Sequence, residues 1–143
     1  MSDKKKILVA DDDKDLVRSL KTFFESKGYD VATAHNGSEA IARIDESKPD
    51  AIVLDIMMDH DSEGFQVAYK LKGDEKFRRI PIIMLTGFAE HIEERYQSFE
   101  FIQGPEWPAA KLYQKPVKLQ ELGVSVERLI SEAEALERQL AAV

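Results

Sequence analysis

ILVADDDKD, residues 7–15, decides how the chain is read. Ile7, Leu8, Val9 and Ala10 run straight into Asp11, Asp12 and Asp13. An apolar run without polar alternation is a strand covered on both faces. Three carboxylates at its end are costly, because two of them about 4 Å apart repel by roughly 4 kcal/mol at a dielectric near ~20. Either a counter-charge holds them ionised or one of them protonates.

Working outward, the pattern returns. AIVLD, residues 51–55, is a second unbroken apolar run that ends in an acid, Asp55. IPIIMLT, 80–86, ends in Thr86, with Pro81 near its start where a missing N–H is tolerable. A short strand over 111–114 leads into Lys115-Pro116, and DVATA, 30–34, supplies a fifth.

Helical periodicity fills the gaps. Leu16, Leu20, Phe23 and Phe24 form one apolar face over 14–27, closed by Gly28. Ser38 is placed to cap a helix carrying Ile41 and Ile44. Phe65, Ala68 and Leu71 face inward from a helix over 64–72. Ile92, Tyr96 and Phe99 mark another over 89–99, and a last helix starts near 118. Strands joined by helical crossovers are parallel. The expected fold is α/β: a doubly wound five-stranded parallel sheet with helices on both faces, in a single domain spanning 1–143.

Composition narrows the function. The chain has 143 residues, Lys plus Arg 20 against Asp plus Glu 27, and a net charge of −7. Such a chain is a poor general binder of nucleic acid, and Lys4 to Lys6 reads as a solvated lead-in. Cysteine is absent, which excludes disulfides and thiolate metal sites. No apolar run approaches the ~20 residues that span a bilayer, and the N-terminus is not expected to be a signal peptide. The expected location is cytoplasmic.

In a doubly wound sheet the carboxyl ends of all strands share one edge, where ligands bind. Asp11, Asp12, Asp55, Thr86 and Lys115 therefore converge there from four places in the chain. A hard cation together with Lys115 would hold the acids ionised. Mg²⁺ suits them, since it takes oxygen ligands and commonly shares its site with phosphate.

At VADD (9–12), IVLDIMM (52–58), IIMLTG (82–87) and YQKPV (113–117) the chain resembles the receiver domain of two-component response regulators. The resemblance covers about 5–135, leaving 136–143 as a helical extension. It implies the flavodoxin-like strand order 2-1-3-4-5 and a phosphoacceptor at Asp55. It further implies Mg²⁺ on Asp11, Asp12, Asp55 and the Met57 carbonyl, with Thr86 and Lys115 on the phosphoryl oxygens. Lys115-Pro116 is expected to be cis. The implied donor is a phosphohistidine on a sensor kinase or phosphotransfer protein. The implied output is a downstream protein target, from a chain that is no enzyme beyond catalysing its own phosphorylation and dephosphorylation. No output domain is expected.

Several positions depart from the family. Asp13 is an extra acid, read as a helix cap. His60, Asp59 and Asp61 are read as exposed loop residues, and His35 and His91 as scattered. The stretch between Thr86 and Lys115 is long, with the excess around 97–110 and its Trp107; it either pads a helix or forms a partner patch. Leu112 stands where receivers carry an aromatic switch residue, and Tyr113 lies on the opposite face. Met57 and Phe88 are apolar where they would flank the phosphoryl group, which implies a long-lived acyl phosphate. Leu119, Leu122, Val126, Leu129, Ala133, Leu136 and Leu140 have heptad spacing. They read as core plus an overhanging end in a monomer, with a weak coiled-coil dimer as the alternative. Two other functions stand beside the switch: a receiver-shaped scaffold that works without phosphorylation, and a phosphatase using Asp11 of the D-x-D spacing as nucleophile.

Overall fold

The computed structural model describes residues 4–56, 58, 63–87 and 109–142. Five strands form one sheet: β1 (Lys6–Ala10), β2 (Asp30–Ala34), β3 (Ala51–Asp55), β4 (Ile82–Thr86) and β5 (Lys111–Gln114). Their order is β2-β1-β3-β4-β5, all pairs parallel. The described helices are α1 (Lys14–Ser26), α2 (Gly37–Ser47), α3 (Glu63–Lys72) and α4 (Leu119–Ala141). The flavodoxin-like arrangement expected from the sequence is the one observed. The expected helix over 89–99 lies outside the described residues.

Strand alternation splits the core into two layers. Leu8, Ala10, Ile52, Leu54, Ile82 and Met84 face one layer, with Phe65, Ala68 and Leu71 of α3. Ile7, Val9, Val53, Ile83 and Leu85 face the other, with Leu20 and Phe24 of α1 and Leu122, Val126 and Ile130 of α4. On α1, Val17 is buried whereas Leu16 and Phe23 are only partly covered, so the inward face is rotated from the expected one.

Caps set where the helices begin. Asp13 accepts from the N–H groups of Asp15 and Leu16, as its place before α1 suggested. Ser38 does not cap α2. Asn36 does, its side chain accepting from the Glu39 N–H at 2.9 Å. Asn, like Ser, is a strong capping type, and the helix starts two residues earlier than expected. Gly28, with φ +93, closes the turn after α1. β4 starts at Ile82, and Pro81 instead offers its carbonyl to Ile52 N–H at 3.0 Å.

The last helix divides in two. Leu122, Ser125, Val126 and Ile130 are buried, whereas Leu136 and Leu140 are 46% and 44% exposed. Its first half covers the sheet and its end overhangs. Among the described residues no helix is long and apolar enough to cross a membrane.

Candidate functional site

Parallel pairing delivers the expected side chains to one edge. β1 ends at Ala10, and Asp11 follows with its N–H on the Ala34 carbonyl at 3.1 Å. Asp55 is the last residue of β3 and Thr86 the last of β4. Lys115 lies one residue beyond β5, where its N–H donates to the Thr86 carbonyl at 2.7 Å. The Lys115–Pro116 peptide is cis.

Asp11 and Asp55 are 1% and 4% exposed, and Thr86 is 2% exposed. Asp12, by contrast, is exposed. Lys115 Nζ lies 2.8 Å from Asp11 Oδ2 and 3.6 Å from Asp55 Oδ1. It thus joins the two hidden carboxylates and supplies the counter-charge that a buried acid needs. Asp11 Oδ1 accepts from the Asp13 N–H at 2.9 Å.

The charges perturb one another in readable directions. Burial alone would lower the Lys115 pKa, but the Asp11 contact and the charges of Asp55, Asp11 and Asp12 outweigh it and raise it. Desolvation raises the pKa of Asp12, and hydrogen bonding and repulsion from Asp11 add to this. Lys115 opposes that rise without cancelling it. One ammonium is therefore too little positive charge for three acids.

A divalent cation fits this deficit. One carboxylate oxygen each from Asp11, Asp12 and Asp55 lie within 4.8 Å of one another. The donor set is all oxygen, the chemistry of a hard cation. Asp11 Oδ2 is buried and has no aligned hydrogen-bond donor, although the Lys115 ammonium is beside it. A cation would complete its coordination. The Met57 carbonyl, the remaining expected ligand, lies outside the described residues. So do Asp59, His60, Asp61, Phe88, His91 and Trp107.

Two residues at this edge were not singled out from the sequence as site neighbours. His35 Nδ1 is 3.3 Å from the Asp11 carbonyl oxygen, and the His35 backbone N–H donates to Glu39 Oε2 at 2.8 Å. Gly64 presses on the end of β3: a Cβ there would lie 2.2 Å from the Asp55 carbonyl oxygen. The Asn-x-x-Glu spacing of 36–39 was a visible sign of an ordered turn beside His35. The close approach at Gly64 has no local signal.

The β5 pair behaves as alternation demands. Leu112 packs with the layer of α2 and α3, and Tyr113 with that of α1 and α4. The Tyr113 hydroxyl is hydrogen-bonded to Ser125 Oγ. Tyr113 therefore does not stand in for an aromatic at the Leu112 position.

Comparison with known proteins agrees with this geometry. The model of the response regulator receiver domain matches residues 7–127. The alkaline phosphatase synthesis transcriptional regulatory protein PhoP of Bacillus subtilis is 34% identical over 130 residues, covering 91% of this chain and 50% of that protein. The chain spans about half the length of the first curated relatives it matches. A CheY-like response regulator receiver domain protein of Methanospirillum hungatei superposes with a TM-score of 0.77 at 27% identity, covering 92% of this chain and 98% of that one. The receiver domain of the Francisella response regulator 1452 gives 0.75 at 31% identity, covering 90% and 98%. The chain belongs to the response regulator receiver domains of two-component signalling.

Proposed function

We propose that the chain is a phosphorylation switch whose acceptor is Asp55. The observation that carries this reading is the buried cluster in which Lys115 Nζ bridges Asp11 and Asp55 at 2.8 and 3.6 Å. A fold that hides two acids at a ligand-binding edge holds charge there for a purpose other than stability.

The donor is a phosphohistidine on a sensor histidine kinase or phosphotransfer protein. An Asp55 carboxylate oxygen attacks phosphorus. The O–P bond forms as the P–N bond breaks, and the electron pair leaves on the imidazole nitrogen, which takes a proton from solvent. Thr86 donates its hydroxyl hydrogen to one phosphoryl oxygen. Lys115 neutralises another, which is how phosphoryl transfer is chiefly catalysed. Asp11, Asp12 and Asp55 would hold Mg²⁺, which when bound neutralises further equatorial charge. Asp11 is assigned the part of a ligand: its buried Oδ2 has no aligned donor and is open to a cation. Hydrolysis reverses the state when water attacks phosphorus and the carboxylate leaves. The chain performs no reaction on another substrate, and its output passes to a protein target in the cytoplasm rather than to nucleic acid.

Intact mass after incubation with a small-molecule phosphodonor and Mg²⁺ tests the reading. Wild type and Asp11→Asn should gain one phosphoryl group and Asp55→Asn none. Uptake by Asp55→Asn with loss in Asp11→Asn would favour the phosphatase chemistry instead. Failure of both uptake and binding of a stable phosphoryl analogue would favour the scaffold.

A further inference from the structure

We propose that Glu63 is a positioning residue that sets the spacing of Asp11 and Asp55 by clamping the start of α3 to the first amide of α2. The functional weight of this inference rests on the phosphoacceptor reading above.

Glu63 is the first residue of α3 and is 8% exposed. Its Oε1 accepts the N–H of Gly37, the first residue of α2, across 26 positions of chain. An alanine at Gly37 would press on the Glu63 side chain, which must shift to admit it. A Cβ on Gly37 would lie 2.6 Å from Glu63 Oε1 and 2.8 Å from its Cγ. A carboxylate at a helix N-terminus also meets the positive end of the helix dipole.

Each end of the clamp leads to one of the hidden acids. On the α2 side, the turn before Gly37 is tied to the main chain of Asp11. The Asp11 N–H donates to Ala34 O at 3.1 Å, and His35 Nδ1 is 3.3 Å from Asp11 O. On the α3 side, the residue after Glu63 is Gly64. Its N–H donates to Ile56 O at 2.8 Å. A Cβ there would meet the Asp55 carbonyl oxygen at 2.2 Å and Ile56 Cα at 2.7 Å. The start of α3 is thus seated on the backbone of the acceptor.

Asp11 and Asp55 are therefore linked twice. Lys115 joins their side chains by charge, in a contact that must rearrange when a cation or phosphoryl group arrives. The Glu63–Gly37 bond joins their backbones from outside the acid cluster, and nothing in the proposed reaction disturbs it. It is the link suited to hold the carboxylates at a fixed spacing through the cycle.

The test measures Mg²⁺ affinity by calorimetry, and phosphorylation rate against Mg²⁺ concentration, in wild type, Glu63→Ala, Glu63→Gln, Gly37→Ala and the Glu63→Ala/Gly37→Ala pair. Loss of a partner that orients metal ligands typically weakens metal binding by about 10- to 100-fold. Glu63→Ala should bind Mg²⁺ about tenfold more weakly, with the phosphorylation rate returning to within about twofold of wild type at saturating Mg²⁺. Glu63→Gln, which keeps the acceptor oxygen, should match wild type. Gly37→Ala should mimic Glu63→Ala, and the pair should be no worse than either alone. Unchanged affinity in folded Glu63→Ala or Gly37→Ala would overturn the clamp, as would multiplied losses in the pair or a Gln variant as weak as Ala. If Glu63→Ala does not fold, Gly37→Ala and Glu63→Gln decide the matter. If the affinities follow the expected pattern but wild type accepts no phosphoryl group, the phosphoacceptor reading fails and the clamp stands. If phosphorylation is intact and the affinities do not move, the clamp fails and the reading stands.

Discussion

The middle of the sheet and its carboxyl edge are equally hidden and are held by different forces. Ile52, Val53, Leu54 and Ile83 are at most 1% exposed, Asp11 is 1% exposed and Asp55 4%. In the middle, each side chain gains by leaving water, and neighbours on both faces reinforce it. At the edge, each carboxylate loses by leaving water, and the Lys115 ammonium with the Asp13 N–H on Asp11 offsets part of the loss. The same burial thus stabilises in one place and stores a demand for positive charge in the other. That demand is what a cation can answer, and an incoming phosphoryl group, itself negative, would raise it further.

The comparison can be broken at either end. Leu54→Ala should cost about 3 kcal/mol, as a buried leucine truncation does, and Mg²⁺ should not restore it. The measurement is urea unfolding with and without Mg²⁺. Lys115→Met leaves two buried carboxylates without their ammonium. Breaking a fully buried pair costs about 3–5 kcal/mol; with the Lys115 side chain 24% exposed, a loss of about 2 kcal/mol is expected. Here Mg²⁺ should restore much of the stability. Equal Mg²⁺ effects on the two variants would erase the distinction between middle and edge.

Smaller changes sharpen it. Tyr113→Phe removes the hydroxyl bonded to Ser125 and should cost about 1 kcal/mol with no change in Mg²⁺ binding. Asp12→Asn should give a slight rise in the thermal midpoint without cation and abolish the rise that Mg²⁺ produces in wild type. The sign follows from the raised pKa of Asp12. A carboxyl whose folded pKa lies above its unfolded value contributes stability below the unfolded value, near ~4, and that contribution is lost as pH rises through the folded one. At neutral pH the ionised Asp12 is a net burden, so removing its charge relieves the fold. Lys115 works the other way. Its pKa is also raised, so its stabilisation holds at neutral pH and fades only above about 10.4, as pH passes through the folded value. A wild-type midpoint that is flat from pH 4 to 7 and unchanged by Asp12→Asn would contradict the charge deficit at the edge.

Much of this edge was legible beforehand, because it obeys local rules. An unbroken apolar run means a strand covered twice, and a polar residue at its end must sit at the sheet's rim. Those two rules bring Asp11, Asp55 and Thr86 together without any contact being known, and Lys115 joins them because it follows the end of the short strand β5 at the same edge. Alternation likewise assigned Leu112 and Tyr113 to opposite faces. The misses have equally physical causes. Ser38 and Asn36 are both good caps, and the choice between them depended on which side chain the turn aimed at the Glu39 amide. Val17 replaced Leu16 because the rotation of α1 is set by how it packs on the sheet rather than by its own period. Glu63 and Gly64 carry no local signature. Their roles come from chain segments that meet only after folding, at Gly37 and at the Asp55 carbonyl.

The central claim is that Asp55 carries the phosphoryl group. Borohydride reduction of the phosphorylated protein converts an aspartyl phosphate to homoserine, and peptide mass mapping locates it. The account predicts homoserine at position 55 and nowhere else. Homoserine at position 11, with Asp55 left as aspartate, would contradict it.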